Sequence, residues 1–255
     1  MTKLWLLGTN TLREVVRHEA FSVTSFVFGI LMIAFAQVVG NLTFGRADRV
    51  VRSIGLSGVG LGLDLLAILI GVALVHREIE RKTALVVLTR PVPRPVFIVG
   101  RFLGLAMATT IAAMGFSFVF FLTLFSVRGA PQASDVAALF GSLLEAWVVG
   151  AFAIVLSCVT TPTLGTGVAL GFLIAGTSID DVVGLTQKDG GLNHVLAVGL
   201  SYVLPNLNRF NFREAAIYLE APSFGLALQA AAYAACFVVA FLSVATLALR
   251  NKELL

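Results

Sequence analysis

The sequence predicts an all-α integral membrane protein of six transmembrane helices, with an amphipathic helix at the membrane interface before them and a short cytoplasmic helix in one connection. Three observations predict it. The 255 residues are 58% hydrophobic and 13% charged, with a mean hydropathy of +0.96, whereas a soluble domain carries roughly 25% charged residues. So little polar surface cannot cover a water-facing molecule, and lipid is the natural solvent for the rest. The apolar residues also come in long runs without period-two alternation; a span must bond every backbone group internally, so these runs are helices rather than barrel strands. Lastly, the basic residues collect at alternate ends of the runs.

In chain order, the stretch Lys3–Glu19 is amphipathic. Trp5, Leu12, Val15 and Val16 fall on one helical side and Asn10, Arg13, Glu14 and Arg17 on the other. That pattern suits a helix lying in the interface, apolar face in lipid and basic face toward headgroups. Crossing roughly 30 Å takes about 20 apolar residues, which Phe21–Gly40, Ile54–Val75, Val96–Phe125, Val136–Cys158 and Phe224–Leu249 supply. Leu164–Ile179 is shorter and is expected to be a thin, tilted or partly embedded crossing. Ala34-Phe35-Ala36 resembles a signal-peptide cleavage site, but the amphipathic stretch ahead of it is too long for an ordinary leader, so the first run is read as a span.

An inside N-terminus places eleven of the eighteen Lys and Arg residues in the cytoplasm and seven outside, with both termini inside. Asp180–Pro222 is then an outer segment, whose run Val195–Leu204 is too short to cross and suits a re-entrant or surface helix. Cys158 and Cys236 sit in apolar runs and read as small buried hydrophobes. The net charge of +4 is modest, and no nucleic-acid partner is expected; the lipid bilayer is.

The connection His76–Gly104 holds six of the eighteen basic residues and encloses Ala84–Thr89, with four consecutive aliphatic residues from Leu85 to Leu88. A water-facing loop does not expose such a run, so it is covered by the protein's own spans or by a partner. Pro91, Pro93 and Pro95 stop the helix and stiffen the turn into the third span.

These residues resemble the cytoplasmic loop of permeases from ABC exporters of the type-two superfamily, in particular the six-span subunits of copper-enzyme maturation and gliding-motility systems. The resemblance rests on Glu78, Glu80, Thr83, Leu88, Pro91, Arg94, Gly100 and Arg101, on Tyr202–Leu207 with Phe210-Asn211, and on the basic end Leu249–Glu253. Lys82 departs from it. It implies a bacterial inner-membrane subunit whose coupling helix docks in a separate ATP-binding subunit, with Glu78, Glu80, Arg81, Thr83, Leu85, Leu88, Arg90, Pro91 and Arg94 at that contact. It also implies a second permease copy or a related permease. The chain has no Gly-x-x-x-x-Gly-Lys-Ser/Thr loop, so ATP and Mg are expected in the partner and no cofactor in this chain.

Asp64 and Glu145 are the acids inside the runs, and an intramembrane carboxylate is a functional candidate or a hydrogen-bonded structural group. Gly58 with Gly62, and Gly167 with Gly171, have the four-residue spacing that lets helices approach closely, within the chain or between two copies. Two other readings compete with this one. A self-sufficient secondary transporter or channel would show internal repeats and broken helices, and no repeat is evident. Gly55-Leu56-Ser57-Gly58 resembles the serine motif of rhomboid proteases, but His18, His76 and His194 all lie outside the runs, so no span supplies the base.

Overall fold

The computed structural model describes residues 2–17, 19–42, 47–80, 93–186, 192–218 and 223–251, which are helical nearly throughout and contain no strand. The helices are α1 (Thr2–Val16), α2 (Glu19–Leu42), α3 (Ala47–Glu80), α4 (Arg94–Ser126), α5 (Ala133–Val159), α6 (Pro162–Thr186), α7 (Leu192–Val203), α8 (Arg213–Ile217) and α9 (Phe224–Asn251), with a 3-10 turn at Leu207–Phe210. Five stretches are long and apolar enough to cross a membrane: Asp48–Val75, Pro95–Ser126, Ala133–Val159, Pro162–Thr186 and Phe224–Leu249. Trp5–Val16 and Phe21–Phe35, bent by 60° where they meet, make a sixth when counted as one span.

Burial ranks the helices. The most apolar window is 72% buried in α3 and in α5, against 33% in α4 and 22% in α6 and α9. The bundle is therefore built around the α3–α5 pair. In lipid the hydrophobic effect does not press spans together, and close packing does. Small residues provide it here: a Cβ on Gly71 would stand 2.7 Å from Ala153 Cβ, and one on Gly150 2.7 Å from Leu105 Cδ2. The pairs Arg52/Asp135, Gly60/Ser142, Gly71/Ala153 and Val75/Ser157 keep a sequence offset of 82 or 83, so α3 and α5 run parallel in one register.

The other helices alternate around this pair. Gly55 faces Phe120 and Met32, Gly62 faces Phe116 and Phe28, and Gly71 faces Leu105, so α2 and α4 are antiparallel to α3. Gly165 at the start of α6 meets Val72 late in α3. One end of the bundle, here the Arg52 end, carries the start of α3 and the 127–132 connection. The opposite Arg101 end carries α1, the end of α3, the start of α4 and the close of α9. Two buried hydroxyls are satisfied locally, Thr109 and Thr123 donating to carbonyls of their own helix.

Three features depart from the sequence reading. Helix α3 starts seven residues before the apolar run, at Ala47 rather than Ile54, because the charge it carries, Arg52, is neutralised inside the bundle. Helix α6 has 25 residues and runs on through Asp180 and Asp181, so it is not short. Helix α1 packs against α4 through Gly8 and Thr11, which are buried as is Val15, while Trp5, Leu6 and Val16 face outward.

Candidate functional site

Three groups of polar side chains sit in this apolar frame, and their hydrogen bonding separates their roles. The first is Arg52 with Asp135, both essentially fully buried. Arg52 Nε donates to Asp135 Oδ1 at 3.0 Å, Nη1 to Asp48 at 3.3 Å and Nη2 to the Ala130 carbonyl at 2.6 Å. Asp135 Oδ2 accepts from the backbone N–H of Gln132 at 2.9 Å, closing the capping box that starts α5. Charges buried this way are compensated by direct partners. This pair fixes where α3 meets α5 and ties both to the connection before α5. It is structural.

The second group lies near the middle of the same two helices. The α3–α5 register brings Asp64 level with Glu145; both are buried, at 3% and 2% exposed. The cation facing them comes from far along the chain. Arg213, the first residue of α8, places Nη2 3.6 Å from Glu145 Oε2. A Cβ on Gly60 would stand 2.7 Å from Arg213 Nη2 and 3.2 Å from Ser142 Oγ, so the missing side chain opens the way for the guanidinium. Unlike the Arg52 pair, this group is incompletely bonded: Asp64 Oδ1 and Arg213 Nε are buried without a hydrogen-bond partner among the described residues.

Arg213 reaches this depth because the segment from Leu204 to Tyr218 turns back into the bundle. Leu207 and Phe210 are fully buried, and three helices yield space at a glycine. Gly60 on α3 adjoins Arg213; Gly141 on α5 adjoins the Phe210 carbonyl and Phe212; Gly176 on α6 adjoins Leu207 and the Pro205 carbonyl. Polar contacts pin the rim. Asp180 accepts from Asn206 Nδ2 at 2.7 Å and Asn208 Nδ2 at 3.3 Å, and the Tyr233 hydroxyl accepts from the Asn206 backbone N–H at 2.9 Å. Asn206 accepts from the Asn208 N–H, capping the 3-10 turn, and Arg209 stacks over the Tyr233 ring at 5.0 Å. The stretch singled out as Tyr202–Leu207 with Phe210-Asn211 is therefore this re-entrant element together with the end of α7.

The third group lies at the Arg101 end. Arg101, buried in the first turns of α4, donates through Nη1 to Glu14 Oε2 at 2.8 Å and Thr11 Oγ1 at 3.1 Å, with its guanidinium 5.5 Å from the Phe97 ring centre. Gly100 and Gly104 make room for Leu7 and Thr11. Beside Glu14 a cleft of about 290 Å³ opens between α1, α3 and the start of α6, bordered by Ala73, Leu74, Pro162 and Thr166.

Of the residues singled out in the sequence, Asp64 and Glu145 are brought together, and Glu78 and Glu80 fall on the last turns of α3. Arg94 opens α4. Arg81, Thr83, Leu85, Leu88, Arg90 and Pro91 lie outside the described residues. Gly167 and Gly171 face open space among the described residues, where nothing beyond the backbone of their own helix and their chain neighbours lies within 4 Å of a Cβ at either. The sequence reading missed Arg213 as partner to the intramembrane acids, and Arg52 and Asp135 as buried. A glycine inside an apolar helix, as at Gly141 and Gly176, was the one local sign that backbone approaches there. No family model matches the chain, and no curated protein matches it.

Proposed function

We propose that the chain is the membrane-spanning subunit of an ABC-type exporter, driven by a separate ATP-binding subunit that docks at the Arg101 end. The observation that carries this reading is the union of α1 with the first turns of α4. Gly100 and Arg101 close the motif that runs from Glu78, and in the bundle the same two residues clamp α1 to the first turns of α4. Helix α3 continues beyond its apolar stretch to Glu80 and leads into the same connection. A partner pressing on residues 81–92 would push on α3, α4 and α1 together, which is what transmission of force requires.

In this account the Arg101 end and both termini are cytoplasmic, α1 rides in the interface with Trp5 and Leu6 toward lipid, and the run Leu85–Leu88 is the coupling helix. The Glu78 and Glu80 carboxylates assist docking, ATP and Mg stay with the partner, and a second copy or a related permease completes the pathway. Co-expression with a candidate ATP-binding subunit tests it. The purified pair should hydrolyse ATP and this chain alone should not, since it has no phosphate-cradling loop; hydrolysis by the chain alone refutes the reading. A self-sufficient secondary transporter gains support from one observation, the mid-span acids Asp64 and Glu145. Transport by the chain alone in ATP-free vesicles would favour that second reading.

A further inference from the structure

The group at the centre of the bundle holds two carboxyl groups and one guanidinium. With all three ionised, Asp64, Glu145 and Arg213 carry one surplus negative charge where water is largely excluded, and burying an uncompensated charge is among the costliest things a fold can do. Among the described residues no other cation faces them. Arg52 and Asp135, on the same two helices, lie about three turns nearer the Arg52 end and satisfy each other. Glu214, beside Arg213, is exposed. Among the described residues, α2, α4 and α6 bring no charged group to this level; α9 brings Tyr233, whose hydroxyl accepts from the Asn206 backbone N–H, and Cys236, which is exposed.

The geometry shows where compensation is missing. Asp64 is 3% exposed and its Oδ1 has no partner. The Arg213–Glu145 separation of 3.6 Å exceeds the roughly 2.7–2.9 Å of a charge-assisted hydrogen bond. A hydrogen on one carboxyl would bring the group to neutrality and provide the donor that this arrangement lacks. We infer that Asp64 and Glu145 together hold one exchangeable proton beside Arg213, making the centre of the bundle a proton-binding site. The proton belongs to the pair rather than to either residue. Arg213, which sits on the re-entrant segment, is partly exposed, so the site is not sealed on that side. The inference does not rest on the transporter reading.

The test uses the full chain in lipid nanodiscs. In the wild type, infrared spectroscopy should show a protonated-carboxyl C=O band at neutral pH that disappears in Asp64→Asn or in Glu145→Gln, because each leaves one carboxylate for one guanidinium. The melting temperature gives a second readout. A proton bound in the folded state but released on unfolding makes stability fall as pH rises, so the wild-type melting temperature should drop by several degrees as pH rises from about 4, where a free carboxyl titrates, through neutrality. In Asp64→Asn that slope should flatten, with stability at the alkaline end at or above the wild type. Should Asp64→Asn fail to fold, Glu145→Gln and the wild-type spectrum still decide. Absence of the band from the wild type overturns the inference, and so does its survival in both variants or an unchanged pH slope in Asp64→Asn.

Discussion

Substituting Gly141 by alanine isolates the seat of the re-entrant segment. A Cβ there would overlap the Phe210 carbonyl oxygen and stand 2.8 Å from Phe212 Cδ2. A backbone carbonyl in a fully buried turn cannot rotate away like the tip of a side chain, so α5 or the turn must shift. Overpacking of this kind costs about 1–3 kcal/mol, partly offset by the roughly 0.8–1 kcal/mol that alanine gains over glycine in a helix. The net expectation is a loss of about 0–2 kcal/mol, and so lower stability than the control below, with the segment displaced toward the Arg52 end. Gly167→Ala is the matched control, since among the described residues nothing beyond its own helix backbone and chain neighbours lies within 4 Å of its Cβ; it should be neutral or stabilising by up to about 1 kcal/mol. Thermal unfolding in one detergent measures both, and thiol labelling of Asn208→Cys reports whether the segment has lifted. Equal stability of the two variants, with no change in labelling, would refute the three-glycine seat. Destabilisation by Gly167→Ala alone would instead mean that the open face of α6 packs on a second copy.

Three further outcomes follow from the same contacts. Arg52→Leu strands the fully buried Asp135 and should cost about 3–5 kcal/mol, whereas the double variant Arg52→Leu/Asp135→Leu should recover much of that in thermal unfolding. Glu14 is half exposed, so Glu14→Ala should cost at most about 1 kcal/mol; Arg101→Ala also empties a buried position and should cost more and detach α1, measured as spin-label distances between Asn10 and Met114. In intact cells, an impermeant thiol reagent should spare a cysteine at position 90 and modify one at position 189, and the reverse pattern would invert the proposed orientation.

The apolar runs were readable because they are local: any window over Ile54–Val75 or Val136–Cys158 averages to a span. The buried charges were not, for the same reason. A window that meets Arg49 and Arg52 ends the run at Ile54, and it takes Asp135 and the Ala130 carbonyl, about 80 positions along, to make Arg52 tolerable inside the bundle. Asp180 and Asp181 likewise cut short the expected fifth span, although Asp180 serves as acceptor for Asn206 and Asn208 at the helix end. Asp64 and Glu145 were visible as acids within apolar runs, but their partner was not. Arg213 lies in the mixed segment after α7, and its return to the bundle is set by Leu207, Phe210 and three distant glycines rather than by any local period. The four-residue spacing of Gly167 and Gly171 suggested close packing, yet spacing alone does not say which helix, if any, stands opposite.

The central claim, that this bundle is worked by an ATP-binding partner through residues 81–92, meets its most direct test in Leu85→Asp and Leu88→Asp. Each variant would be co-purified with the ATP-binding subunit, with ATPase activity of the pair and melting temperature of the isolated chain measured side by side. The account predicts unchanged melting and a loss of binding and stimulated hydrolysis, because a charge forced into the docking contact costs several kcal/mol. Intact binding together with a collapsed melting temperature would contradict it, placing that aliphatic run against the protein's own spans.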